Sequence, residues 1–360
     1  MNLSVVNSLD EKVWREFVDQ HPQGNIFHTP EMFHVFERAR GCQPKLWATV
    51  GDHGQVLALL LPVQVTLKNG LLHYLTTRSI AYGGVLYSLD PAGEQALAVL
   101  MQTYLREIGH EALFTELRHL SDSHPIQAVL DHCGFIYEDY QDYLIDVNRP
   151  IEDIWQSITK GCRKSIRKFQ NKDVVISEID VRSYLPIFYN LLQQTYNRAG
   201  VPLSDISLFE AVFDILVPKG MAKMLIARVK NDYMAASLEA PYKDIIYSWY
   251  SGFDRDSRAV NPNDGLVWYI LEWGAKNGYR YYDFGGAGVA GETYRVRDFK
   301  AKYGGRLVNY GRHTYVHDPF ALPISRVGYQ VYRQIIRHLP NANATKTVAS
   351  LELKSISDKN

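Results

Sequence analysis

Apolar residues alternate with a period of two in some stretches of this chain and recur every three or four residues in others, which separates strands from helices. The pattern predicts a strand near Leu3 to Val6, helices near Ser8 to Asp19 and Pro30 to Arg40, and strands near Leu46 to Gly51, Val56 to Thr66 and Leu71 to Leu75. A helix from Pro91 to Ile108, a strand from Ala112 to Leu117, a short helix from Pro125 to His132 and a strand from Phe135 to Val147 follow. Thr29-Pro30 and Asp90-Pro91 each pair a capping residue with a first-turn proline, and Asp52-His53-Gly54 reads as a hairpin turn.

The same order then recurs. A strand is expected near Val174 to Ile179, helices near Tyr184 to Arg198 and Asp205 to Val217, and strands over Met221 to Val229, Tyr233 to Ala240 and Ile245 to Gly252. A helix from Pro262 to Lys276, a strand from Tyr279 to Asp283, a helix from Thr293 to Lys302 and a strand from Leu307 to Tyr315 complete it. Pro91 and Pro262, Gly134 and Gly305, and Leu3 and Val174 are each 171 residues apart. The side chains differ, so the repeat lies in the order of elements. Each unit is a strand, two helices, three antiparallel strands, helix, strand, helix, strand. This is an α+β layout, a mixed and mostly antiparallel sheet flanked by helices, and it resembles the acyltransferase fold called GNAT, here in tandem. The expected division is a first domain over 1–148, a basic helical connector over 149–172 and a second domain over 173–318. An amphipathic helix over 319–340 and a polar, disordered tail over 341–360 would follow.

A length of 360 residues favours two domains over one core. Apolar content of 46% and charged content of 22% are those of an ordinary globular protein. Thirty-nine basic and 39 acidic residues cancel, so any pull toward nucleic acid or membrane must come from local patches. The amino terminus lacks the basic and apolar regions of a signal peptide, and no apolar run approaches the roughly 20 residues of a membrane helix. Cys42, Cys133 and Cys162 are odd in number and lack zinc-ligand spacing, which fits a reducing compartment. A cytoplasmic protein is expected, with the amphipathic segment from Pro323 to Leu339 open to peripheral membrane contact. No metal site is expected, and His28, His34 and His119 read as structural.

Candidate chemistry concentrates in Gly278-Tyr-Arg-Tyr-Tyr-Asp-Phe-Gly-Gly-Ala-Gly288, followed by Arg297-Asp-Phe-Lys-Ala-Lys-Tyr-Gly-Gly305. A strand ending in Asp283 and glycines, then a helix carrying Phe299 and Lys300, suits a site at the carboxyl edge of a sheet. Asp283-Phe284-Gly285 also spells a protein-kinase triplet, but the glycine-rich loop, strand lysine and His-Arg-Asp loop that would accompany it are missing. A second feature lies between Ile158 and Lys172, where no acid occurs. Lys160, Arg163, Lys164, Arg167 and Lys168 share one helical face opposite Ile158, Cys162, Ile166 and Phe169. Against the bland reading of a solvated surface, an unpaired stripe between domains is expected to meet phosphate or RNA backbone. Tyr247 and Trp249 should share one strand face and Tyr250 the other, one face being core and the other able to stack on a base or sugar.

These same residues resemble a known family. Asn277 to Gly286 followed by Arg297 to Gly305 resembles the closing signature of the FemAB family of peptidoglycan-bridge aminoacyltransferases. Gly134-Phe-Ile-Tyr, Tyr143-Leu-Ile-Asp146, Ile154-Trp155 and Arg163-Lys-Ser-Ile-Arg-Lys168 resemble its middle signature, and Gly24-Asn-Ile-Phe-His-Thr-Pro-Glu31 and Tyr82-Gly-Gly84 its first-domain landmarks. The resemblance implies two GNAT-like domains and transfer of an amino acid from aminoacyl-tRNA to an amine, usually of a cell-wall precursor peptide. It places the family's catalytic lysine on Lys300 and its basic element on Arg163, Lys164, Arg167 and Lys168. The coiled-coil arm of some members is absent, so a lipid-linked acceptor is not implied.

The expected roles follow. Lys300 stabilises the oxyanion or a phosphate, and Asp283 orients the attacking amine or takes its proton, unless Asp283 simply caps the next loop. Gly285, Gly286, Arg297, Phe299, Tyr247, Trp249 and Tyr250 are expected to bind substrate. No cofactor is expected beyond the charged tRNA. The alternative is an acyl-coenzyme A-dependent N-acyltransferase acting on a sugar amine or an amino acid. Coenzyme A is disfavoured because Arg258-Ala-Val-Asn-Pro-Asn-Asp-Gly265 lacks the glycine pair of a pyrophosphate loop and proline removes a donor. A third possibility is an inactive module that binds precursor or RNA.

Overall fold

The chain's structure, a computed structural model, describes residues 2–67, 70–109, 111–254 and 261–325. The helix expected over 319–340 lies largely outside them, and the tail over 341–360 wholly so. The first half runs β1 (Ser4–Val6), α1 (Glu11–Gln20), α2 (Pro30–Arg38), β2 (Cys42–Pro44), β3 (Trp47–Val50), β4 (Val56–Thr66), α3 (His73–Thr76), β5 (Thr77–Tyr87), α4 (Pro91–Ile108), β6 (Phe114–His119), α5 (His124–His132), β7 (Ile136–Glu138) and β8 (Tyr140–Asp146). Helices α6 (Ile151–Ser157) and α7 (Lys160–Gln170) lead to β9 (Val174–Glu178), α8 (Leu185–Ala199), α9 (Ile206–Ile215), β10 (Lys223–Val229), β11 (Asp232–Tyr242) and β12 (Ile245–Phe253). Then come α10 (Pro262–Lys276), β13 (Tyr281–Val289), α11 (Arg295–Ala301), β14 (Arg306–Asn309) and β15 (Arg312–Val316).

The predicted starts of α2 and α4 hold for the stated reason. Thr29 Oγ1 accepts from the Met32 amide at 3.2 Å and Asp90 Oδ1 from the Gly93 amide at 2.7 Å, each ahead of a first-turn proline. At α10 the cap differs: Asn261 Nδ2 donates to Asp264 Oδ2 at 3.0 Å, and the Asn261 side chain accepts nothing from the helix. Asp264 is buried and also accepts from Tyr303 Oη at 2.6 Å, which ties the start of α10 to the end of α11.

The repeat appears as two sheets, of order β1-β3-β4-β5-β6-β15-β7 with β2 on β4, and β14-β8-β13-β12-β11-β10-β9. Pairing is antiparallel except for β5 with β6 and β12 with β13. These sheets exchange strands. The single strand expected from Phe135 to Val147 is cut after Glu138: β7 joins the first sheet, while β8 crosses to lie between β13 and β14 of the second. The strand expected from Leu307 to Tyr315 is cut likewise. Gly311, at φ +68°, turns the chain so that β14 stays in the second sheet and β15 returns between β6 and β7. The expected first domain, 1–148, therefore includes a strand of the second sheet, and the expected second domain, 173–318, a strand of the first.

Segment 149–172 is a correction too. Ile154 of α6, Ile158 between the helices, and Cys162, Ile166 and Phe169 of α7 belong to one apolar core with Leu266, Ile270 and Leu271 of α10 and Tyr282 and Phe284 of β13. These helices are a layer of the second unit and not a connector. A further core joins the two halves: Phe27, Met32, Val35 and Phe36 pack with Phe188, Phe209, Val212 and Leu238. Lys243 Nζ donates to the carbonyls of Val18 and His21 at 2.8 Å each, and Lys219 to buried Glu31 at 2.7 Å. Among the described residues no helix is long and apolar enough to cross a membrane, and Cys42, Cys133 and Cys162 are unpaired thiols.

The exchange, with the core shared between the halves, should make them one cooperative unit. Full-length protein should unfold in one transition, with circular dichroism and tryptophan fluorescence coinciding. A fragment of residues 1–148, which lacks β15 between β6 and β7, should show no cooperative transition.

Candidate functional site

β12 and β13 run parallel for only three pairs, Ile245 with Tyr281, Ile246 with Tyr282 and Tyr247 with Asp283. Beyond these they part: β12 continues along β11, while β13 follows β8 through an irregular register at Asp283, Gly286 and Gly288. Gly285 and Gly288 have φ of +74° and +82°, a conformation that side chains with a Cβ rarely take. On the opposite strand Glu239 pairs with Ser248 and Leu238 with Tyr250, so Trp249 is the extra residue of a β-bulge. Parted strands leave a cleft of about 760 Å³, with Ser248, Trp249, Tyr250 and Ser251 on one side and Phe284, Gly285 and Gly286 on the other. Tyr196, Tyr294, Phe299 and the start of α10 (Asn261, Pro262, Asn263) complete the walls, and Lys300 and Arg295 contribute cations.

Lys300 is buried at the cleft's inner end. Its Nζ donates to three consecutive carbonyls, of Phe284 at 2.5 Å, Gly285 at 2.7 Å and Gly286 at 2.9 Å. All three ammonium hydrogens are committed to the backbone, so the stabilisation of an oxyanion or phosphate expected of Lys300 has no free hydrogen to donate in this arrangement. Its charge acts on the cleft through space. Burial lowers the Lys300 pKa, against the pull of Asp142 and Asp283.

Asp283 lies behind the cleft wall. It accepts from the Gly285 amide at 2.8 Å, as a loop-capping acid would, and it faces a second buried acid, Asp142 of β8. Asp142 in turn accepts from the Tyr143 amide at 2.7 Å. Burial, then the Asp283 charge, raises Asp142 well above the carboxylate range, and burial raises Asp283. Like charges this close in a dry site hold a proton between them. Tyr310 is pushed up to about 12 by burial and by both acids. Sequence reading missed Asp142 because it assigned the strand after Phe135 to the first domain. Only the exchange brings Asp142 beside β13.

The remaining expected residues divide. Trp249, Tyr250, Gly285, Gly286 and Phe299 line the cleft. Tyr247 does not; it is core between the halves, edge-on to Phe27. The expected alternation fails after Tyr247 because the bulge adds a residue, and Trp249 and Tyr250 both pack toward the shared core. Arg297 is a correction: its guanidinium turns back onto the carbonyls of Ala287, Val289 and Glu292 and clamps the loop after β13. Arg295 lines the cleft instead.

The stripe on α7 is also corrected. Its apolar face packs on α10, Phe169 lying against Gly265, so the basic face looks outward and contributes nothing to the cleft walls. Arg163 caps α6 through the carbonyls of Trp155 and Gln156, and Arg167 stacks 5.4 Å from the Trp155 ring centre. Lys164 and Lys168 are exposed. Helix α7 does start close to the site, for the Thr159 amide donates to the Lys302 carbonyl at 2.8 Å. His28 and His119 are buried and, as expected, structural in their contacts: His119 Nε2 lies 2.9 Å from His313 Nδ1, and the His28 carbonyl accepts from Trp14 Nε1 at 2.6 Å. His34 bridges Glu11 and Glu37 on the surface.

Residues 156–300 match a family model described as Acetyltransferase (GNAT) domain. Among solved structures the chain resembles FemX at 17% identity and TM-score 0.67, over 92% of this chain and 100% of that one. The chain has a tandem GNAT-like fold. It also resembles the L-PGS of Bacillus licheniformis (14% identity, TM-score 0.56, 92% of this chain and 98% of that one). A tandem GNAT protein from the clavulanic acid biosynthesis pathway matches at 12% identity and TM-score 0.56, over 88% and 99%. No curated protein sequence matches. The fold and the family match are those of acyltransferases, and the parted strands with their bulge stand in the second GNAT unit.

The acid pair sets a pH dependence. Carboxyls held above their ordinary range keep protons that the unfolded chain has already released, so the pair costs stability as pH rises past that range. Asp142→Asn removes one ionisation while keeping the shape. Its melting temperature should gain on the wild type by about 2 °C or more between pH 5 and pH 9, measured by calorimetry.

Proposed function

We propose that this tandem GNAT protein transfers an aminoacyl group from aminoacyl-tRNA to an amine, the side-chain amine of a cell-wall precursor peptide. The observation that carries the reading is the wedge between β12 and β13, walled by Trp249, Tyr250, Phe284 and Phe299 and closed by the buried Lys300 ammonium. Support comes from the FemX-like course of 92% of the chain and from the closing signature that lies on β13 and α11. Aromatic faces suit the terminal base of a charged tRNA, because stacking needs no particular base edge. The ester is already activated, so holding amine and carbonyl together supplies much of the rate. A C–N bond forms, the ester C–O bond breaks, the amine loses a proton and the tRNA hydroxyl takes one. Charge grows on the carbonyl oxygen near Lys300, whose ammonium stabilises it across the site.

A second reading, acyl transfer from coenzyme A, is favoured by one observation. Asn261, Pro262 and Asn263 at the start of α10 open on the cleft, where helix amides attract phosphate. The two donors are separated by incubating the protein with mixed charged tRNAs and lysine-bearing precursor peptides, or with acetyl-coenzyme A, and weighing products by mass spectrometry. Aminoacyl products from the first mixture alone are expected; products from acetyl-coenzyme A alone would overturn the reading. Lys300→Met should lower kcat/KM on the order of 100-fold or more.

A further inference from the structure

Behind the cleft, on the side of the second sheet covered by α7 and α10, lies an acid that the scheme above does not use. Glu239 of β11 is 2% exposed, and its Oε2 has no hydrogen-bond partner. The hydroxyls of Ser237, Tyr282 and Ser248 surround it. Ser248 is its register partner on β12 and itself lines the cleft where β12 leaves β13. The Ser237 hydroxyl is buried without a partner as well. Tyr282 is the titratable group in contact with the carboxyl. The other titratable groups in this core are Asp264 paired with Tyr303, Cys162 and the backbone-bound Lys300, while Asp283 adds its charge at Tyr282 from the next position of β13. The wall residues that α7 and α10 bury here, such as Ile166, Leu266 and Ile270, are apolar.

We propose that Glu239 is a positioning residue whose proton decides whether the Ser248 hydroxyl presents a donor or an acceptor to the cleft. As a neutral acid, Glu239 donates to Ser248 Oγ, and Ser248 points its own hydrogen at the bound substrate. As a carboxylate, it accepts from Ser248, whose lone pairs then receive an N–H of the attacking amine. Burial pushes the carboxyl up to about 8, so the change falls where an amine acceptor begins to lose its proton. The inference deepens the proposed acyl transfer, and one arm of its test needs no activity.

In that arm, infrared difference spectra between pH 6 and pH 10 are compared for wild type and for the variants Glu239→Gln and Ser248→Ala. A protonated-carboxyl band that bleaches with a midpoint near 8 is expected in wild type. It should be lost in Glu239→Gln and shifted to higher pH in Ser248→Ala, because the serine hydroxyl helps hold the carboxylate. Absence of the band at pH 6, or an unmoved midpoint in Ser248→Ala, would overturn the proposal. In the activity arm, wild-type kcat/KM should show, on top of the rise set by the acceptor amine, a further rise of about tenfold per pH unit up to that midpoint, and Glu239→Gln should lack the further rise. A Glu239→Gln profile that keeps it would be equally fatal. If no transfer is detected with any donor, the proposed function fails while the infrared arm still decides this question. Should Glu239→Gln not fold, Ser248→Ala carries both arms.

Discussion

Three consecutive carbonyls, those of Phe284, Gly285 and Gly286, converge on the Lys300 ammonium, and the shape of the second unit follows from that convergence. A regular strand points successive carbonyls to opposite sides, so it cannot offer three in a row to one donor. The chain reaches this state by placing glycine at positive φ and by breaking register with β8. Once β13 bends to serve Lys300, it can no longer pair with β12, and the parallel ladder ends after three pairs. The cleft is the space left over. The buried ammonium also feels the charges of Asp142 and Asp283, which oppose the lowering of its pKa by burial, while the two acids crowd each other enough to share a proton.

Strand exchange is the second constraint. β8 supports the bent strand from behind, and it brings both Asp142 and Tyr140, whose ring occupies the space above Gly286. A Cβ at Gly286 would come within 2.7 Å of that ring, so the glycine is fixed by a residue that precedes it by more than a hundred positions. The site of the second unit is thus built partly from the first half of the chain. Its aromatic wall leans the same way, since Trp249 packs edge-on against Phe27 and Phe36.

What could be read from the sequence is set by the range of the interactions. Caps and first-turn prolines are local, and both appeared where expected at α2 and α4, while at α10 the proline did and the side-chain cap did not. The family-like strand and helix around Asp283 and Lys300 were legible as a motif, and the wedge does form there. Three features were not legible because no short window contains them. The cut at Glu138 is set by which sheet has an open edge, the bulge at Trp249 by the register against β11, and the outward turn of the α7 cations by the preference of Ile166 and Phe169 for α10. Arg297 shows the same limit in one residue: its charge suggested a ligand, but the orphan carbonyls of the loop after β13 were nearer.

The first unit shows why the open cleft lies in the second. It has the same parallel junction, β5 beside β6, but there the ladder continues for five pairs, from Ser79 with Thr115 to Gly83 with His119. Gly83 and Gly84 have φ of +83° and +81°, as a bent strand would need, yet the space this could open is already filled. The Asn25 side chain lies 2.5 Å from where a Cβ of Gly83 would stand, and the His119 ring 2.6 Å from that of Gly84. His119 is held in turn by His313, which arrives on the exchanged strand β15. Burial pushes the two imidazoles down to about 3 and about 4, so both stay neutral and can pack as ordinary core rings. No lysine reaches in to bend β6 away among the described residues. The first junction is therefore closed by side chains and the second propped open by an ammonium, so that of two like-built halves only the second holds a cleft at this place.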